Sequence, residues 1–164
     1  MIPITKEERQ WFLRQLALGL VEYLGVTEPP VPVEQLLRNP PPLYDDDFGV
    51  VDMFSNLWDA TFARPPTQRG SIFVRMDLDP EQRRYALARE LLSALITSKH
   101  GRKMGLSDLL LPNLRESAEY FASQLLAPEH LIQAFQAQGG NFETFARTFN
   151  IPIQVADHRW IEAA

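Results

Sequence analysis

Apolar and polar positions recur along this chain with two distinct periods, and the period decides the element. The strongest pattern is DPEQRRYALARELLSALITSKHG, Asp79 to Gly101. At roughly 100° per residue, Tyr85, Ala88, Leu91, Leu92, Leu95 and Ile96 fall on one stripe, which predicts a buried helix. Asp79 suits the N-cap, Pro80 the first helical position, and Gln82 the return partner of a capping box. Lys99, His100 and Arg102 suit the negative end of the helix, with Gly101 as its C-cap. Arg89 and Ser93 stand one turn apart just beyond the edge of the stripe, with Glu90 beside them. Polar groups at that edge mark the place where a wall becomes a cleft.

A second helical pattern runs from Thr5 to Leu24, with Trp11, Phe12, Ala17, Leu20, Val21 and Leu24 at helical spacing. Thr5 and Glu8 predict a capping box, and Gly25 closes the helix. The linker TEPPVPV, a short helix at Val33–Arg38 and a proline cluster at Asn39–Pro42 follow. The period then changes. Leu57–Ala63 and Ser71–Leu78 alternate as strands, joined by RPPTQRG. Ile72, Val74, Met76 and Leu78 take one face of the second strand, Ser71, Phe73, Arg75 and Asp77 the other. An apolar connector, Leu106–Leu111, ends at Pro112 and leads into NLRESAEYFASQLLAPEHLIQAF. There Asn113 as N-cap and Glu116 three residues later predict another capping box. The tail, Asn141 to Ala164, gives two short helices about the joint FNIPI.

Composition narrows the classes. A chain of 164 residues with 45% hydrophobic content fits one domain, 1–164, large enough to bury a core. A net charge of −5 offers no basic face for a phosphate backbone, so direct nucleic-acid binding is not expected. The tail faintly resembles a helix-turn-helix, but with only Arg147 and Arg159 in it, packing is the better expectation. The absence of cysteine excludes disulfides and thiolate metal sites and fits a reducing cytoplasm. No apolar run approaches the length of a membrane span, and the N-terminus lacks a signal-peptide pattern. Asp45, Asp46 and Asp47 lack the alternate-ligand spacing of a Ca²⁺ loop and predict a solvated turn. His130 and His158 stand alone, as surface or capping residues.

RRYALARELLSAL resembles the active-site helix of the ImmA/IrrE family of zinc metallopeptidases, whose usual form is R-R-F-x-L-A-H-E-x-G-H. The order of strand pair and capped helix is also that family's. So is A-x-x-F-A-x-x-L-L-x-P, carried here by Ala118, Phe121, Ala122, Leu125, Leu126 and Pro128. The resemblance implies an α+β, zincin-like domain with a small, mostly antiparallel sheet packed against several helices. In H-E-x-x-H, two imidazoles one turn apart hold Zn²⁺ and the glutamate works on the metal-bound water. Here Arg89 and Ser93 occupy the histidine positions and Leu92 the glycine position, and Glu90 alone remains. An arginine cannot release its proton to a metal, and serine is a poor zinc ligand.

The family's third ligand is a glutamate in the first turn of the second helix, where Glu116 and Glu119 lie. The expectation is therefore a domain with no metal, no cofactor and a vestigial Glu90, acting by protein binding or regulation. Relatives act in prokaryotes on helix-turn-helix repressors, which makes such a repressor the first partner to consider. The alternative is a metallopeptidase with other ligands, such as Glu90, His100 and Glu116 or Glu119. Against it, His100 lies about 15 Å beyond Glu90 along a helix axis. Where the metal is lost, the guanidinium of Arg89 is expected to pair with Glu116, Glu119 or Glu90, an ion pair bridging the two helices.

Overall fold

The computed structural model describes residues 4–44, 48–54, 57–66 and 69–163. The Asp45–Asp47 run therefore lies outside the described residues. Helix α1, Lys6–Leu24, opens on the expected capping box: Thr5 Oγ1 accepts the Glu8 N–H at 3.1 Å, and the Glu8 carboxylate accepts the Thr5 N–H at 2.8 Å. Gly25 ends it at φ 66°, a left-handed conformation that favours glycine. Helix α2, Val33–Arg38, and a single 3₁₀ turn at Pro42–Tyr44 lead to the sheet.

The sheet holds β1 (Phe48–Met53), β2 (Ala60–Ala63) and β3 (Gly70–Arg75) in the order β1-β3-β2. β1 runs parallel to β3 and β2 antiparallel to it, so the sheet is mixed rather than mostly antiparallel. The α+β class holds. The additional strand is β1, whose adjacent Val50 and Val51 are both exposed and so give no alternation to detect. β3 alternates as expected over its own length, with Ile72 and Val74 fully buried, but it ends at Arg75, short of the expected Leu78, and Met76 is exposed.

Helix α3, Pro80–Thr97, lies against β3 and β2 and forms the centre of the molecule, with Leu91, Leu92, Leu95 and Ile96 buried. It stops at Thr97, before the expected Gly101. The Ser98 hydroxyl donates to the Leu95 carbonyl at 2.6 Å and accepts the Gly101 N–H at 3.0 Å, which starts a new helix, α4, at Lys99–Lys103. Gly101 is thus no C-cap. It is buried, and a Cβ there would collide with the carbonyls of Leu95 and Ile96. Asp79 is the N-cap but makes no side-chain capping bond.

The expected connector is a short helix, α5, Leu106–Leu110. Helix α6, Leu114–Leu126, then packs between α1 and α3, with Phe121, Ala122, Leu125 and Leu126 buried. Asn113 precedes it at φ 63° without a side-chain cap, so the capping box expected with Glu116 is not formed. Pro128 separates α6 from α7, Glu129–Ala137. The tail forms α8 (Phe142–Phe149) and α9 (Ile153–Glu162), packed rather than free. Phe135, Phe145, Phe149 and Trp160 make its aromatic centre, with Phe145 and Phe149 rings 4.7 Å apart. Two buried arginines join this tail to the rest. Arg84 donates to the carbonyls of Asn150 at 3.1 Å and Val31 at 2.7 Å, and Arg159 to that of Ala127 at 2.9 Å. His130 and His158 are exposed. No helix among the described residues is long and apolar enough to cross a membrane.

Candidate functional site

The stripe of α3 faces the core, so the residues beyond its edge are the first to meet solvent. Arg89, Glu90 and Ser93 are each half-buried there. With the first turns of α6 on one side and the approach to β2 on the other, they line a cleft of about 560 Å³. Glu119 of α6 faces into it, as do Arg115, Asp59, Ala60, Leu57 and Trp58. Leu57 and Trp58 are unusually open for their size, at 79% and 59% exposure.

The strand beside the cleft is an edge. Arg75 N–H donates to the Asp59 carbonyl at 2.8 Å, which makes that cross-strand pair a hydrogen-bonded one. Pairs alternate along an antiparallel ladder, so Ala60, opposite Val74, turns its N–H and C=O away from β3. The same holds for Phe62.

The predicted site residues are only partly gathered. Arg89, Glu90, Ser93 and Glu119 share the cleft; Glu116 and His100 do not. Glu116 turns to α1, where Lys6 Nζ lies at 3.5 Å and the buried Arg9 at 3.4 Å. His100 sits edge-on to Tyr44, ring centres 5.8 Å apart. Glu119 pairs with Arg115, one turn earlier on its own helix, at 3.4 Å. Arg89 lies over the Tyr85 ring, its guanidinium carbon 5.2 Å from the ring centre. Among the described residues it has no carboxylate within salt-bridge distance, so the expected bridging ion pair is not formed. The reason is competition: each opposing glutamate has a nearer cation.

Burial raises the pKa of Glu90, and the neighbouring Arg89 charge and the Phe62 amide oppose that rise without cancelling it. Tyr85 is raised too, by burial first and then by the Glu119 charge, with Arg89 again opposing. The cation is therefore felt by its neighbours without being neutralised by contact.

Zinc does not fit this donor set. A fixed guanidinium and a hydroxyl stand one turn apart where neutral imidazoles are needed, and like charge repels a cation. Among the described residues, no group of three or more His, Cys, Asp or Glu is placed to hold a metal ion, and the alternative set of Glu90, His100 and Glu116 or Glu119 is dispersed.

Sequence reasoning left the Arg83–Arg84 doublet without a role. Arg83 bridges Glu34 at 3.2 Å and Asp52 at 2.9 Å, and Arg84 is the buried clamp described above. Two cations near a helix N-terminus oppose the helix dipole, a signal that each has a specific partner. The Leu57–Trp58 rim was hidden inside a stretch expected to be strand.

A mixed sheet beside a capped central helix, with a second helix closing a cleft over that helix's polar edge, defines the class. The chain belongs to the family of IrrE N-terminal-like domains, whose model matches residues 45–160. Among solved structures, it is similar to a Mycobacterium tuberculosis transcriptional regulator at 18% identity and a TM-score of 0.63. That match covers 90% of this chain and 45% of the regulator, so the chain spans less than half its length. The likeness is one of fold. Comparison with curated protein sequences gives no match.

Proposed function

We propose that this chain is a catalytically silent IrrE-like domain that works by binding a segment of another protein in the cleft beside β2. The observation that carries the reading is the occupancy of the cleft floor. Arg89 and Ser93 stand where the family motif has its two histidines, so Glu90 has no metal-bound water to activate. What the cleft retains is suited to binding: an outward-turned backbone at Ala60, two open apolar side chains and a cation. Extended segments are held in such places by main-chain hydrogen bonds, with side-chain pockets adding selectivity. A helix-turn-helix repressor is the partner that the family resemblance puts first, and it would bind as protein to protein without this chain touching nucleic acid. Its regulatory role would be to sequester or present that partner.

Titration calorimetry of the purified chain with helix-turn-helix repressors, together with metal analysis after zinc exposure, tests the reading. Saturable binding with no stoichiometric zinc supports it. A metallopeptidase with other ligands is favoured by one observation, the raised pKa of Glu90, which suits general acid–base work. Chelator-sensitive cleavage of the repressor that disappears in Glu90→Gln would establish that alternative and overturn the first.

A further inference from the structure

The charges around the cleft do not balance by contact. Asp59 is held by Arg75 at 3.6 Å and Glu119 by Arg115 at 3.4 Å. Glu90 is half-buried beside Arg89 on the same helix. Among the described residues of the cleft, Arg89 has no carboxylate within salt-bridge distance, and Glu90, whose ionisation the nearby Arg89 charge favours, makes no ion pair either. Arg89 is nevertheless not loose, because the Tyr85 ring lies 5.2 Å beneath its guanidinium carbon and limits where it can point. A planar fork of donors, pre-positioned in a half-enclosed cleft and unspent on the protein itself, is an anion receptor in waiting.

We infer that Arg89 selects the occupant of the cleft: an extended protein segment bearing an aspartate or glutamate whose carboxylate seats on the Arg89 guanidinium. The inference rests on the peptide-binding reading above and names the chemistry of the segment. Two further features fix the class of occupant. Leu57 and Trp58, at 79% and 59% exposure, supply apolar contact at one rim, which a bare inorganic anion would not use. Ala60, which lines the cleft although only 8% exposed, turns its N–H and C=O away from β3 toward the cleft side, where another backbone can pair with them. Backbone, apolar side chain and carboxylate together describe an acidic peptide. A lysine or arginine at that position would meet Arg89 and be repelled by it, while Glu119 and Asp59 are already held by Arg115 and Arg75.

Selection of random short linear peptides on phage against the full chain tests this directly. The expected result is enrichment of Asp or Glu at one position. A synthetic selected peptide should lose about tenfold or more in affinity when that residue becomes Gln, the scale of one charge-assisted contact. Against the Arg89→Gln variant, the acidic peptide and its Gln counterpart should bind equally, and Arg89→Lys should restore part of the difference. That equality is not produced by general damage to the fold, which far-UV circular dichroism of each variant checks in addition. Selected peptides without acidic preference, or an acidic preference that Arg89→Gln leaves intact, overturn the inference while leaving the peptide-binding reading in place. Failure to select any peptide overturns both. A dimer in sedimentation that Arg89→Gln dissolves would overturn it in favour of a second copy of this chain.

Discussion

Replacing Arg84 by alanine is the sharpest test of how this fold is held together. Arg84 is 8% exposed and donates to two carbonyls far apart in sequence, Asn150 at 3.1 Å and Val31 at 2.7 Å. One side chain of α3 thereby holds the joint between α8 and α9 and the linker before α2. A hydrogen bond from a charged group contributes about 1.5–3 kcal/mol, so the pair contributes about 3–6 kcal/mol gross. Part of that is offset, because burial disfavours the guanidinium charge and lowers its pKa, with Glu34 opposing. Truncation also leaves the buried Val31 carbonyl and the part-buried Asn150 carbonyl without their donor. The expected net loss for Arg84→Ala is about 3 kcal/mol, which for a domain of this size lowers the melting temperature by about 6–12 °C.

Urea unfolding followed by tryptophan fluorescence is a suitable assay, since Trp160 packs against Phe145 with ring centres 5.1 Å apart and reports on the tail. Arg84→Lys keeps the charge but not the fork, and should recover less than half of the loss. Amide exchange should rise in α8 and α9 before it rises in α6. A loss within about 0.5 kcal/mol of zero, the range of ordinary surface substitutions, would refute the clamp.

Three further outcomes follow from other contacts. Because burial raises the folded-state pKa of Glu90 above its ordinary value of 4.5, ionisation disfavours the native state progressively as pH rises from that value through the folded pKa. Glu90→Gln should therefore be more stable than the parent at neutral pH and indistinguishable from it in acid; a variant equally affected at both ends of a pH series of melting curves would contradict this. Glu116→Gln removes a half-exposed partner that water can replace beside Arg9, so denaturant midpoints should show a loss of only about 1 kcal/mol or less. Gly101→Ala forces a Cβ against the carbonyls of Leu95 and Ile96 and should cost about 1–3 kcal/mol in the same assay, whereas the expected C-cap role would have predicted no such clash.

The elements whose signals are local were legible in the sequence. The Thr5–Glu8 box, the Gly25 cap and the stripe of α3 depend on neighbours a turn away, and each is found where its pattern lies. Elements decided by distant partners were not. β1 carries two exposed valines in succession and becomes a strand because β3 offers it a parallel edge. Local competition also hid one boundary: the end of α3 is set by the Ser98 hydroxyl, bonded to Leu95 and Gly101 three residues either side, and not by the glycine. The site was legible in the same divided way. Arg89, Glu90 and Ser93 share one helix and could be placed together from spacing alone. Which glutamate of α6 faces them could not, since Glu116 is claimed by Arg9 of α1, a contact between residues remote in sequence.

That division bears on how the cleft can change its chemistry. A metal that ties a glutamate of α6 to α3 would serve structure and catalysis at once. On the reading proposed above, the two jobs are separated. Phe121, Ala122, Leu125 and Leu126 of α6 are fully buried, and Leu91, Leu92 and Leu95 of α3 nearly or fully so. Removing that much apolar surface from water contributes on the order of 1.5–3 kcal/mol for each large side chain, which outweighs any single exposed ion pair. The small side chains Ala118 and Ala122 let α6 approach closely, and α1 braces its other side through Arg9 and Glu116. With the helices held by packing, the residues at the polar edge of α3 are relieved of structural duty. On the reading proposed above, Arg89, which makes no ion pair among the described residues and rests on the Tyr85 ring, serves what enters the cleft more than it serves the fold. Stability and binding should accordingly part company in one variant: Arg89→Gln is expected to unfold within about 0.5 kcal/mol of the parent while losing its acidic peptide, and a large loss of stability in that variant would mean the arginine belongs to the fold after all.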